Sequence, residues 1–75
     1  MAERQTTART DQQIVNQTNA LAAKLYAIRG YEAPKGHKFW LATHPHEVEA
    51  WEGACEAQLM LTHTDVGDAL SALTD

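Results

Sequence analysis

Thr43-His44-Pro45-His46-Glu47-Val48-Glu49-Ala50-Trp51 reads as the opening of a helix, and that helix decides the fold. Pro45 fits a first helical turn, where its missing N–H costs nothing and its φ is already helical. Glu47 and Glu49 follow, complementing the positive end of the helix dipole. Val48, Trp51, Cys55, Leu59 and Thr62 recur at spacings of three and four, which marks a buried stripe. At about 100° per residue, Ala50, Ala54, Ala57 and Leu61 form a second stripe of smaller residues on another side. The two stripes predict a helix over 45–62, touched from two directions and central to the fold.

Towards the N-terminus, Thr10 or Asp11 is an N-cap for a helix over 11–29. Ile14, Thr18, Leu21, Ala22, Leu25 and Ile28 lie on one face of it, with Asn16, Asn19 and Ala23 on the other. Gly30 closes it as a C-cap, and Tyr31 is placed to fold back on the last turn. Residues 1–10 are polar and lack apolar periodicity, as expected of a flexible tail. In the connection, Pro34 and Gly36 predict a turn around Ala33-Pro34-Lys35-Gly36. Phe39, Trp40 and Leu41 form an apolar cluster that fits either an extended segment or one helical turn. At least one aromatic should plug the core, because two adjacent side chains of a regular element cannot both point inward.

Beyond the central helix, Thr64 is a new N-cap, with Asp65 and Asp68 in the first turn of a third helix over 64–73. Val66, Ala69, Leu70 and Leu73 supply its apolar side. Gly67 weakens it by ~1 kcal/mol relative to alanine, so it depends on tertiary contacts. The fold class is therefore all-α, a three-helix domain over 11–75 with its first two helices antiparallel.

With 75 residues, the chain is near the size at which one core is only marginally sufficient. Its single cysteine, Cys55, cannot form an internal disulfide. Added stability is expected from a partner or a homodimer, through the small-residue stripe of the second helix or the face of the first. A lone cysteine on an apolar stripe is an inert core residue and fits a reducing compartment. The first twenty residues hold no apolar run of the secretory type. No window reaches the ~20 apolar residues of a membrane span. The expected location is cytoplasmic, with no membrane partner.

The net charge of −4 conceals a split. Residues 1–40 carry all six basic residues (Arg4, Arg9, Lys24, Arg29, Lys35, Lys38) against three acids, a net of +3. Residues 41–75 carry seven acids and no lysine or arginine, a net of −7. Such asymmetry stabilises the fold by mutual attraction of the halves or points to charged partners.

The residues that could carry chemistry are sparse. His44-x-His46, His37, His63 and Cys55 match no zinc-site spacing, so no metal is assigned and no cofactor is expected. His46 and Glu47 are adjacent and point apart on a helix, and Cys55 sits on an apolar stripe. No catalytic residue is assigned, and the chain reads as a non-enzyme. The basic residues with Tyr31, Phe39 and Trp40 could hold a nucleic acid, but the acidic second half opposes phosphates.

The acidic face weighs most. Glu49, Glu52 and Glu56 line one side of the second helix with no basic residue four positions away, and Asp65 and Asp68 follow. Such a stripe would steer the chain to a basic surface of another protein. With an exposed aromatic from Phe39-Trp40 as anchor, the candidate partner-binding residues are Phe39, Trp40, Glu49, Glu52, Glu56, Asp65 and Asp68.

Arg29-Gly30-Tyr31, Pro34, Phe39, His44-Pro45-His46-Glu47, Trp51-Glu52 and Thr64-Asp65-Val66 together resemble small phage- or prophage-encoded accessory proteins over residues 25–70. The resemblance implies a non-enzymatic binder of the kind that blunts host enzymes or defence systems, and it transfers no catalytic residue. The expected function is a protein–protein interaction module that occludes a basic surface of a host protein. A small nucleic-acid-binding regulator using the basic half, or a structural homo-oligomer, is the alternative.

Overall fold

In the computed structural model, which describes residues 10–62 and 65–74, α1 spans Asp11–Ile28. Its start is fixed by a reciprocal capping box. Thr10 Oγ1 accepts from the Gln13 N–H at 3.1 Å, and Gln13 Oε1 accepts from the Thr10 N–H at 2.9 Å. Thr10 thus belongs to the fold rather than to the expected tail, whose other nine residues lie outside the described ones. At the far end Gly30 takes φ +90°, a left-handed conformation that favours glycine. Its N–H donates to Ala27 C=O and that of Tyr31 to Tyr26 C=O, the two bonds of a Schellman motif. The Tyr26 and Tyr31 rings stack at 5.1 Å and supply the apolar contact that accompanies it.

The turn in the connection runs Pro34 to His37, closed by the His37 N–H on Pro34 C=O at 3.0 Å. It lies one residue later than the sequence predicts. The third position of such a turn needs positive φ, and Gly36 at φ +81° fills it. Phe39–Leu41 then forms one 3-10 turn. Asn19, which the sequence places on the polar side of α1, fastens this segment. Its amide donates to His37 C=O at 2.9 Å, and its oxygen accepts from the Phe39 N–H at 2.8 Å.

α2 spans Pro45–Thr62, as expected. His44 caps it: its C=O accepts from the Val48 N–H at 2.9 Å, and its Nδ1 from the His46 N–H at 3.3 Å. α3 spans Val66–Thr74, starting two residues later than expected. Asp65 Oδ1 accepts from the N–H groups of Gly67 and Asp68 at 2.9 and 3.4 Å, so Asp65 is a side-chain cap. Thr64, the expected cap, lies outside the described residues.

Two apolar clusters hold the helices together. Ala22, Tyr26, Phe39, Ala50 and Ala54 join α1, the 3-10 turn and α2. Ile14, Val15, Val66 and Ala69 join α1 to α3, with Trp40, Trp51, Cys55 and Leu70 against them. Trp51 packs on both clusters. The C-terminal end of α1 meets the N-terminal end of α2, as the Arg29–Glu49 pair shows, so the two run antiparallel. α1 packs along both other helices, whereas α2 and α3 meet sparingly. The centre of the fold is therefore α1 rather than α2, because α1 buries rows on both its halves.

The ranking of stripes also changes. On α2, Ala50 and Ala54 are wholly buried, while Val48, Trp51 and Cys55 are half-buried. Leu59 and Leu61, placed on buried stripes by their spacing, are exposed. Small side chains let α1 approach closely, so the alanine row is the one that goes inside. On α1, Val15 and Tyr26 are buried and Ile28 is exposed, because the buried row steps by four through Ile14, Thr18, Ala22 and Tyr26. The buried Thr18 hydroxyl donates to Ile14 C=O at 2.7 Å. Ala50 and Ala54 of the small-residue stripe are consumed inside the chain, while Leu61 of that stripe and Ile28 of the α1 face stay exposed.

Candidate functional site

The acidic residues divide between two places. Glu49 faces the C-terminal end of α1 and pairs with Arg29 at 2.9 Å, both side chains well exposed. That pair links the basic and acidic halves of the chain, as mutual attraction requires, and is worth little in energy at such exposure. Glu52 and Glu56 stay exposed with no basic partner among the described residues. As like charges four residues apart they disfavour the helix by a few tenths of a kcal/mol. Stability alone does not account for them.

A notch of about 150 Å³ opens where α2 meets α3, lined by Cys55, Glu56, Leu59, Asp65, Val66 and Gly67. Asp65 reaches it because its role as the cap of α3 holds it at the junction. Burial pushes the Cys55 thiol above the usual range, and the charges of Glu52 and then Asp65 push it further. Both carboxylates therefore act on the Cys55 thiol, and of the two only Asp65 lines the notch. The fold thus brings Glu56 and Asp65 to one small opening with a half-exposed Leu59 on its wall. Asp68, in the first turn of α3, is exposed.

Of the two candidate anchors, Phe39 is 2% exposed and sits in the core between Tyr26 and His37. It is a packing residue, and its assignment as a surface contact is corrected. Trp40 is half-buried, its ring 5.9 Å from that of Trp51, and it rests on the same cluster as Cys55. Sequence reasoning missed the most exposed apolar residues near the notch, Met60 at 79% and Leu61 at 78%. The signal was present: three consecutive large apolar residues, Leu59-Met60-Leu61, cannot all face one interior at helical spacing.

A second cluster gathers at the N-terminal end of α2. Tyr31 stacks on His46 at 4.7 Å, and His46 lies 5.1 Å from His44. His37 Nε2 lies 2.6 Å from Glu47 Oε1, and the charge of Glu47 also helps raise the pKa of Tyr26. Among the described residues no three histidine, cysteine or carboxylate side chains are disposed to hold a metal. His63 lies outside them. Cys55 is ten residues along α2 from Pro45, about 15 Å at helical rise. It therefore lies well away from His44 and His46. No helix among the described residues is long and apolar enough to cross a membrane. The arrangement defines a small all-α domain with an acidic, apolar-walled notch. Comparison of the chain with family models, curated proteins and solved structures finds no match.

Proposed function

We propose that the chain is a non-enzymatic protein–protein interaction module that occludes a basic surface of a host protein in a reducing, cytoplasmic setting, as an inhibitor of the phage accessory kind. One observation carries the reading: Glu56 and Asp65 line a notch walled by the exposed Leu59, with the charge of Glu52 also felt by Cys55 in its wall. A lysine or arginine side chain is matched to such a place, its aliphatic stem on Leu59 and its charged head among the carboxylates. The acids steer the encounter, and the exposed part of Trp40 anchors it.

The test is a nuclease-treated pull-down with the wild-type chain and a Glu52→Lys/Glu56→Lys variant, followed by association kinetics. One stoichiometric protein should survive nuclease, and the variant should associate about tenfold more slowly. Trp40→Ala should weaken binding by ~2 kcal/mol with the fold retained. Normal binding by both variants overturns this surface. Recovery that disappears with nuclease would instead favour the nucleic-acid reading.

A further inference from the structure

We propose that the chain self-associates head to tail, the connection of one copy receiving the exposed apolar side of the last turn of α2, at Met60 and Leu61, from another. The connection holds a depression of about 390 Å³, lined by Lys35, His37, Lys38 and Leu41 among others. Leu41 is 65% exposed at its edge. Lys35 and Lys38 are exposed, and neither pairs with a carboxylate among the described residues. It is thus an apolar hollow rimmed by two free positive charges.

Its complement lies at the other end of α2. Leu59, Met60 and Leu61 point in three directions about the helix; Leu59 is half exposed at the notch, and Met60 and Leu61 are 79% and 78% exposed, so the outer side of the last turn presents apolar surface. That turn carries no basic residue, leaving the negative end of the helix dipole uncompensated within the helix. Glu56 adds a full negative charge one turn earlier. An apolar, negative helix end is the occupant that an apolar, positive hollow fits in both shape class and sign. The two surfaces lie about 27 Å apart along an eighteen-residue helix. One copy therefore cannot satisfy both, and the contact is heterologous. It stands independently of any host partner. Because Glu56 also borders the notch, self-association would cover part of the surface proposed for that partner.

Sedimentation velocity of the full chain tests this with two variants, Lys35→Glu/Lys38→Glu and Met60→Ser/Leu61→Ser. All four positions are exposed, and circular dichroism checks that each variant keeps its helicity. The wild type should show a mass that rises with concentration, and high salt should weaken association by about an order of magnitude. Each variant alone should remain monomeric. An equimolar mixture should regain a dimer, because one variant retains an intact α2 end and the other an intact hollow. A monomeric wild type at every concentration overturns the proposal. So does wild-type association that survives the lysine reversals, or a mixture that stays monomeric, as expected of a symmetric contact between like surfaces.

Discussion

His37 Nε2 lies 2.6 Å from Glu47 Oε1, which latches the middle of the connection to the first turn of α2. Both side chains are largely shielded, at 27% and 22% exposure. The charge of Glu47 also acts on Tyr26 of α1 and helps raise its pKa. Removing Glu47 strands the partly buried His37 donor, which costs about 1–3 kcal/mol. Glu47→Ala should lower the urea midpoint accordingly, and Glu47→Gln, which keeps an acceptor, should lower it less. Equal midpoints for Glu47→Ala and wild type would show that the latch contributes nothing.

The same carboxylate gives the fold an alkaline limit. Burial first, then the negative charge of Glu47, Tyr31 and the hydrogen bond to Glu47, raise the pKa of Tyr26 above 10.0. A group whose pKa is raised on folding binds its proton more tightly in the folded state, so ionisation in the unfolded chain at a pH where the folded group is still protonated draws the equilibrium towards unfolding. Its contribution is thus fully present below the unfolded value of 10.0 and is lost as pH rises through the folded value. Unfolding midpoints should begin to fall as pH rises past 10.0 in the wild type, and less steeply in Tyr26→Phe. Parallel curves would assign the alkaline loss to other groups.

Phe39 and Trp40 are neighbours in sequence with different duties. Phe39 is 2% exposed and fills the centre of the first cluster, so Phe39→Ala should cost about 3–5 kcal/mol. A chain of 75 residues has a total stability of order 4–11 kcal/mol. The variant should therefore be partly unfolded at room temperature, visible as lost helicity in circular dichroism. Trp40→Ala should remain folded, since Trp40 is only half-buried.

How far the sequence could show this depends on the kind of signal. Three helix ends set by one residue's chemistry were legible, Thr10 as a cap, Gly30 as a left-handed stop and Pro45 at a first turn, whereas Asp65 as the cap of α3 was not. Which face goes inside was less so. Spacing marks Val48, Trp51, Cys55 and Leu59 as well as it marks Ala50 and Ala54, and only packing shows that the alanines meet α1. The carboxylates of α2 were visible as a stripe, but the notch was not. It exists because Asp65 caps α3 and thereby comes to lie against Glu56, a relationship between elements that no local pattern encodes. The clamp of Asn19 on the connection escaped notice because a lone polar residue on a helix face carries no signature of its distant partner.

Asp65 has two separable duties, in the cap and in the notch. Asp65→Ala removes the acceptor for Gly67 and Asp68 and should cost ~1 kcal/mol, mostly through α3. Asp65→Asn keeps a capping oxygen and removes only the charge, so its stability should stay close to wild type. Thermal unfolding by circular dichroism separates the two. If the variants melt alike, the charge rather than the cap holds the junction of α2 and α3.

Cys55 reports on the notch from within. Its thiol is held above the usual range, by burial first and then by Glu52 and Asp65. The thiolate is the reactive form, so a raised pKa slows attack on a disulfide reagent at mildly alkaline pH. Reaction with a chromogenic disulfide should be at least about tenfold slower than for free cysteine, and denaturant should abolish the difference. Because burial ranks above charge, Glu52→Gln should recover only a small part of the rate. Added salt should speed the wild type more than it speeds that variant. A native rate equal to that of free cysteine would mean that the notch is open to solvent and that its carboxylates do not act on the thiol. A rate fully restored by Glu52→Gln alone would mean that charge, and not burial, governs the site.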